Sequence, residues 1–164
     1  MTRGLLAICL LFCLSASSTC IAAATAPAPP ATPEAGWFLG RAKDNVRLFY
    51  GMPNGTDTVI IFSCVLRSGD IVIHVPLAPT KTRANEGQSV SLTIGGVKSS
   101  FAGLVVENED GSKTLQMTVP ARNPMFTALS GPGGMRIETK SLAKVVPLKA
   151  IGEKLKQFLA GCRK

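Results

Sequence analysis

Short stretches of alternating apolar and polar residues, each closed by a turn signal, constrain this chain more than any other feature of its sequence. Alternation with period two puts one set of side chains on one face of a strand. Ile60, Phe62 and Cys64 share a face in this way, as do Val90, Leu92 and Ile94, and residues 114–119 alternate as regularly. Eight segments read as strands: 46–50, 58–65, 71–75, 89–94, 98–106, 114–119, 136–140 and 143–146. Gly95-Gly96 and Asp110-Gly111 are turn pairs, Ser68-Gly69-Asp70 is a third turn, and Asn54-Gly55 predicts a two-residue hairpin. Residues 77–88 form the longest connection, read as an excursion between two sheets. Asn123-Pro124 predicts one or two helical turns over 124–129, stopped by Ser130-Gly-Pro-Gly-Gly134.

The period changes once. Leu148, Ile151, Leu155, Phe158, Leu159 and Cys162 recur at helical steps, which predicts an amphipathic helix over 149–162. Lys and Arg late in that segment suit the negative end of its dipole. The expected fold is mainly β: an antiparallel β-sandwich or partly open barrel of about eight strands, closed by a C-terminal amphipathic helix. Phe49, Phe62, Phe101 and Phe158 are assigned to its core.

The N-terminus sets the expected compartment. Arg3, the apolar run from Leu5 to Leu14 and the small residues Ala22-Ala23-Ala24 read as a secretory signal peptide over 1–24, cleaved after Ala24. The run is too short to span a bilayer, so no transmembrane anchor is expected. A competing reading makes Cys20 a lipidated N-terminus, although Ser17-Ser18-Thr19 lacks the residues such a site prefers. Residues 25–36, rich in Pro and Ala, read as a flexible tether. A single domain then covers 37–164. Of the five cysteines, only Cys64 and Cys162 survive cleavage, and an oxidising compartment favours a bridge between them.

The chain carries a net charge of +8, and the surplus is concentrated at one end. Arg136 to Lys164 holds eight basic residues against Glu138 and Glu153. Such a segment suits an anionic partner, with Lys149, Lys156 and Arg163 as its expected contacts. Exposed aromatics interleaved with the basic residues, the mark of a single-strand binder, are missing, so nucleic acid is not expected.

No catalytic constellation stands out. There is one histidine, His74, and no Cys-x-x-Cys, so no metal site and no cofactor is expected. Glu107-Asn-Glu-Asp-Gly111 does not follow a calcium-loop spacing, and Gly111-Ser-Lys-Thr114 lacks the upstream glycines of a phosphate loop. Asn54-Gly55-Thr56 fits a glycosylation acceptor and is equally explained as a turn. His74 faces away from Ile71, Ile73 and Val75; Asp70 or Asp44 are its candidate orienting partners were it a catalytic base.

The Ala22-Ala23-Ala24 site, the Pro/Ala tether, Phe62-Ser63-Cys64 and the closing segment VPLKAIGEKLKQFLAGC resemble small secreted proteins of Gram-negative bacteria. The closing segment is similar to the end of the invasion-associated locus B family of periplasmic β-sandwich proteins, although that family's central cysteines are missing here. The resemblance implies a periplasmic β-sandwich and transfers no functional residue. The expected function is a non-enzymatic periplasmic or secreted protein that binds an envelope component or another protein. A proteinaceous inhibitor of a secreted hydrolase, presenting residues 77–88 or 130–134, is the first alternative. A small hydrolase using His74 is the second.

Overall fold

The computed structural model describes residues 33–77 and 82–163. The expected signal peptide, Cys20 and tether residues 25–32 lie outside the described residues. Among the described residues, nine strands form one continuous antiparallel sheet: β1 (Gly36–Arg41), β2 (Asn45–Gly51), β3 (Ile60–Val65), β4 (Asp70–Leu77), β5 (Gly87–Ile94), β6 (Val97–Glu107), β7 (Lys113–Pro120), β8 (Gly134–Glu138) and β9 (Ala143–Pro147). Helix α1 (Met125–Ala128) lies between β7 and β8, and α2 (Gly152–Cys162) closes the chain. The spatial order is β1-β2-β3-β4-β7-β6-β5-β8-β9. The sheet is curled into a half-barrel, so of the two expected architectures the partly open barrel describes it. Cys64 lies on the third strand rather than the second, because β1 precedes the first strand expected.

That order explains the long connection. β4 pairs with β7 rather than β5, so the chain between Leu77 and Gly87 crosses the breadth of two strands within one sheet. It is not a passage between two sheets. The link from β7 to β8 makes a second crossing and carries α1. There Asn123 Oδ1 accepts the Met125 N–H at 3.0 Å, as a residue ahead of a helix should. Gly95 and Gly96, with φ of 56° and 81°, make the β5–β6 turn in the conformation a two-residue hairpin requires. Asn54-Gly55 does not make one. Pairing of β2 with β3 ends at Tyr50↔Ile60, leaving a wider loop in which Asn54 Oδ1 accepts from Thr56 N and Oγ1.

One face of the sheet is apolar throughout. Val46, Leu48, Phe62, Ile71, Ile73, Val75, Leu92, Leu115 and Ile137 are fully buried on it. Trp37, Phe62 and Phe126 form an aromatic cluster linking β1, β3 and α1, with Trp37–Phe62 centroids 6.2 Å apart and Phe62–Phe126 5.9 Å apart. Phe158 is also fully buried and Phe101 packs against the core, as assigned. Phe49 does not: it is half-buried on the opposite face, beside Phe38, with centroids 5.5 Å apart.

Trp37 also draws the two ends of the sheet together. Its Nε1–H donates to the Pro147 carbonyl at 2.7 Å, joining β1 to β9, the first and last strands of the order. Trp37→Phe keeps most of the packing and removes the donor. Denaturant unfolding followed by far-UV circular dichroism is expected to show a loss of about 1–2 kcal/mol.

Helix α2 is shorter than the predicted span. Ala150 takes φ +64°, a left-handed conformation unusual for a residue with a Cβ, so a helix cannot begin at 149. The anchor is Leu148, which is buried and donates its N–H to Gly133 O at 2.9 Å. Leu155, Phe158, Leu159 and Cys162 form the buried stripe of α2. Its last turn holds no basic residue; Arg163 is the C-cap, in an extended conformation. The end of the helix is satisfied from the β3–β4 turn instead. Arg67 N donates to Gly161 O at 2.8 Å and Gly69 N to Cys162 O at 2.9 Å, filling carbonyls that a helix terminus leaves open. Cys64 and Cys162 form a disulfide across the same junction, 98 residues apart in sequence, with Cα atoms 5.8 Å apart.

Candidate functional site

Two surfaces qualify, and opposite faces of the sheet carry them. The first is the exposed side of α2 with its flanks. Lys149 is exposed just before the helix, Lys156 is exposed within it, and Arg163 is exposed at its end. They do not converge. An 11-residue helix is about 16 Å long, so Lys149 and Arg163 stand at opposite ends of an extended line. Glu153 lies along it and accepts from Gln157 Nε2 at 3.2 Å. At the far end Arg163 meets Arg122 around a small hollow that also holds Asp70 and Ser68. Among the described residues the single ion pair is Arg136–Glu138, at 2.9 Å. The basic excess of the C-terminal third is therefore largely left facing solvent.

The second surface is a pocket of about 430 Å³ on the face that α2 does not cover. Val46, Phe62 and Cys64 point to the core, so alternation turns Arg47 and Ser63 the other way. Arg47 on β2 sits directly across from Ser63 on β3. Ile61 on β3 pairs with His74 on β4, which places Ser63 and His74 diagonally. Ser63 Oγ and His74 Nε2 are 2.8 Å apart, and Ser63 Oγ lies 3.5 Å from Val72 O. Asn45, Asn108 and Thr114 complete the polar lining, and Ala42, Ile61 and Pro76 supply apolar wall. Asn108 Nδ2 is committed to Ser112 Oγ at 2.8 Å and Thr114 Oγ1 at 3.0 Å.

His74 is half-buried, and its pKa is held below 6.5 by burial first and by the Arg47 charge second. It is therefore neutral at pH 7. Its side-chain hydrogen bond goes to Ser63 and not to a carboxylate. Asp70 lies four residues away on the same strand, about 13 Å along it. Asp44 is not among the pocket residues, so neither expected orienting partner is in place.

Sequence reasoning identified His74 as outward-facing and missed Ser63 and Arg47. The signal was present, since Phe62 and Cys64 facing inward require Ser63 to face outward. The strand register that brings Ser63 to His74 needs the length of the β3–β4 turn, which a Ser-Gly-Asp signal alone does not fix. No family model, no curated protein and no solved structure matches the chain. Among the described residues, no helix is long and apolar enough to cross a membrane, and no three His, Cys, Asp or Glu side chains gather as a metal site would require.

Proposed function

We propose that this protein is an extracytoplasmic, non-enzymatic binding protein that lays the cationic flank of α2 against an anionic envelope surface. The observation that carries this reading is the charge at the C-terminus. Eight basic residues from Arg136 onward face two acidic ones, and one ion pair is formed among the described residues. Lys149, Lys156 and Arg163 are strung along a line rather than gathered in a cup, which suits an extended polyanion or a lipid headgroup layer better than a compact ligand. The bridge and the buried stripe of α2 fix the helix that carries Lys156 against the sheet. In the triple variant K149E/K156E/R163E, binding to vesicles containing phosphatidylglycerol is expected to weaken by at least tenfold at low salt. Wild-type binding is expected to fall as salt rises through physiological strength. Sedimentation with vesicles of graded anionic content measures both; unchanged binding of the triple variant would defeat the reading.

The Ser63–His74 contact favours one other reading, a hydrolase. Two features weigh against it. A serine nucleophile needs its histidine to accept a proton and become imidazolium, and Arg47 and burial both oppose that charge. Among the described residues, no carboxylate bonds the second histidine nitrogen to hold its tautomer. Turnover of a simple ester that disappeared in His74→Ala and Ser63→Ala would restore this reading.

A further inference from the structure

The Ser63–His74 pocket has a chemistry of its own. Its lining combines one guanidinium, two hydroxyls, one imidazole and two amides, with no carboxylate among the residues that form it. Arg47 has no ion-pair partner among the described residues. Its five N–H groups form a planar fork suited to two oxygens of an oxyanion. Ser63, directly across the strands from Arg47, offers a hydroxyl to the same space. Besides His74 Nε2, the hydroxyl's other protein contact is the Val72 carbonyl, which is long at 3.5 Å. In the tautomer in which His74 Nε2–H donates to Ser63 Oγ, the imidazole fills the acceptor side of the hydroxyl and leaves its proton for a ligand. Ile61 and Pro76 border the polar cluster with apolar surface.

We propose that this pocket is the binding site for a small organic oxyanion, held by the Arg47 fork and the Ser63 hydroxyl, with its hydrocarbon part against Ile61 and Pro76. The ligand is a carboxylate or a phosphate monoester of a compact organic group. His74 positions Ser63 and responds to the bound charge. The site uses none of Lys149, Lys156 and Arg163, so it stands or falls independently of the surface-binding reading. Arg47 from β2 is the one charged group in the lining; Ser63 and Ile61 from β3, Pro76 from β4, Thr114 from β7 and Asn108 beyond β6 bring no titratable group to the imidazole. An anion on Arg47 offsets the second cause of the low His74 pKa and adds an attraction to the imidazolium.

His74 is the sole histidine, so its ring protons report the site directly by NMR. In the oxidised protein without ligand, their titration midpoint is expected below 6.5. Sodium benzoate, methyl phosphate and sodium acetate are each titrated, with chloride at matched ionic strength as the control. A saturable shift is expected from benzoate or methyl phosphate, stronger than from acetate, with the His74 midpoint raised by about one pH unit. Reciprocity then requires about tenfold tighter benzoate binding below the ligand-free midpoint than above the ligand-bound one. Arg47→Gln, at an exposed position, is expected to keep the unfolding temperature and abolish the saturable response. Ser63→Ala is expected to weaken it five- to tenfold. A response to benzoate alone assigns a carboxylate, and a response to methyl phosphate alone assigns a phosphate ester. No saturable response to any of the three, or the same response in Arg47→Gln, overturns the proposal.

Discussion

Removing the Cys64–Cys162 bridge is expected to lower the free energy of unfolding by about 4–5 kcal/mol, close to half of what a domain of this size commonly has. The size of the effect comes from the 98 residues enclosed. Opening that loop frees nearly the whole sheet from β3 to α2 in the unfolded chain, and loop-closure entropy grows with the logarithm of loop length. The native state loses less. Both half-cystines are buried, Cys162 completely, and alanines at the two sites leave small voids in an apolar setting. The hydrogen bonds from Arg67 N to Gly161 O and from Gly69 N to Cys162 O remain to dock the end of α2. The C64A/C162A double variant should therefore fold to the same sheet with a much lower urea midpoint, and α2 should be its first element to exchange amide protons. Urea unfolding of the oxidised protein and the double variant, with mass spectrometry under non-reducing conditions to certify the bridge, measures the difference. A loss under about 1 kcal/mol would mean that the unfolded chain is already held compact near these residues.

The junction at Cys162 was legible in the sequence because two independent periodicities met there. Cys64 falls on the apolar face of an alternating segment and Cys162 falls on the apolar stripe of a helical one, so each residue's burial follows from local pattern, whereas their pairing follows from the expected export and the count of cysteines left after cleavage. What escaped was whatever depends on contacts between distant segments. β1 does not read as a strand because Trp37, Phe38 and Leu39 are three apolar residues in a row, which gives no alternation. Gly36, assigned to the tether, is its first residue. Leu39 also packs against the core, and Phe38 lies over Phe49 on the other face; only the pairing with β2 sorts these roles. The insertion of β7 beside β4 leaves one local mark, the long connection after Leu77, but its length alone does not say which strand takes the place beside β4. The pocket was half legible for the same reason. The outward face of His74 follows from alternation within one strand, whereas its contact with Ser63 and the proximity of Arg47 follow from the registers of two strand pairs. The start of α2 lies three residues later than the spacing predicts because that spacing continues back through Ile151 and Leu148, whereas Leu148 is bonded to Gly133 O and Ala150 takes a left-handed conformation before the helix begins.

Phe62→Ala is expected to cost about 3–5 kcal/mol, the largest loss from truncating any one side chain on the sheet. Phe62 has no exposed surface and stands at the centre of the aromatic cluster, stacked on Trp37 with an interplanar angle of 19° and edge-to-face with Phe126 at 74°. Truncation removes the ring from between β1 and α1, two elements that share no backbone ladder and therefore cannot readily close the void. Each aromatic contact adds about 0.5–1.5 kcal/mol beyond the area buried. Phe49→Ala is the matched comparison. Phe49 is on the neighbouring strand β2 but on the opposite face, half-buried beside Phe38, and its truncation is expected to cost less than about 2 kcal/mol. The two variants, unfolded in urea side by side, separate the faces of the sheet by energy rather than by accessibility. Equal losses would mean that the face carrying Phe38, Phe49 and the Ser63–His74 pocket is itself covered in solution. The sheet would then be apolar-packed on both sides, and the pocket would no longer open to solvent. A loss at Phe62 well above that at Phe49 fixes the single-sided core on which the exposure of the pocket depends.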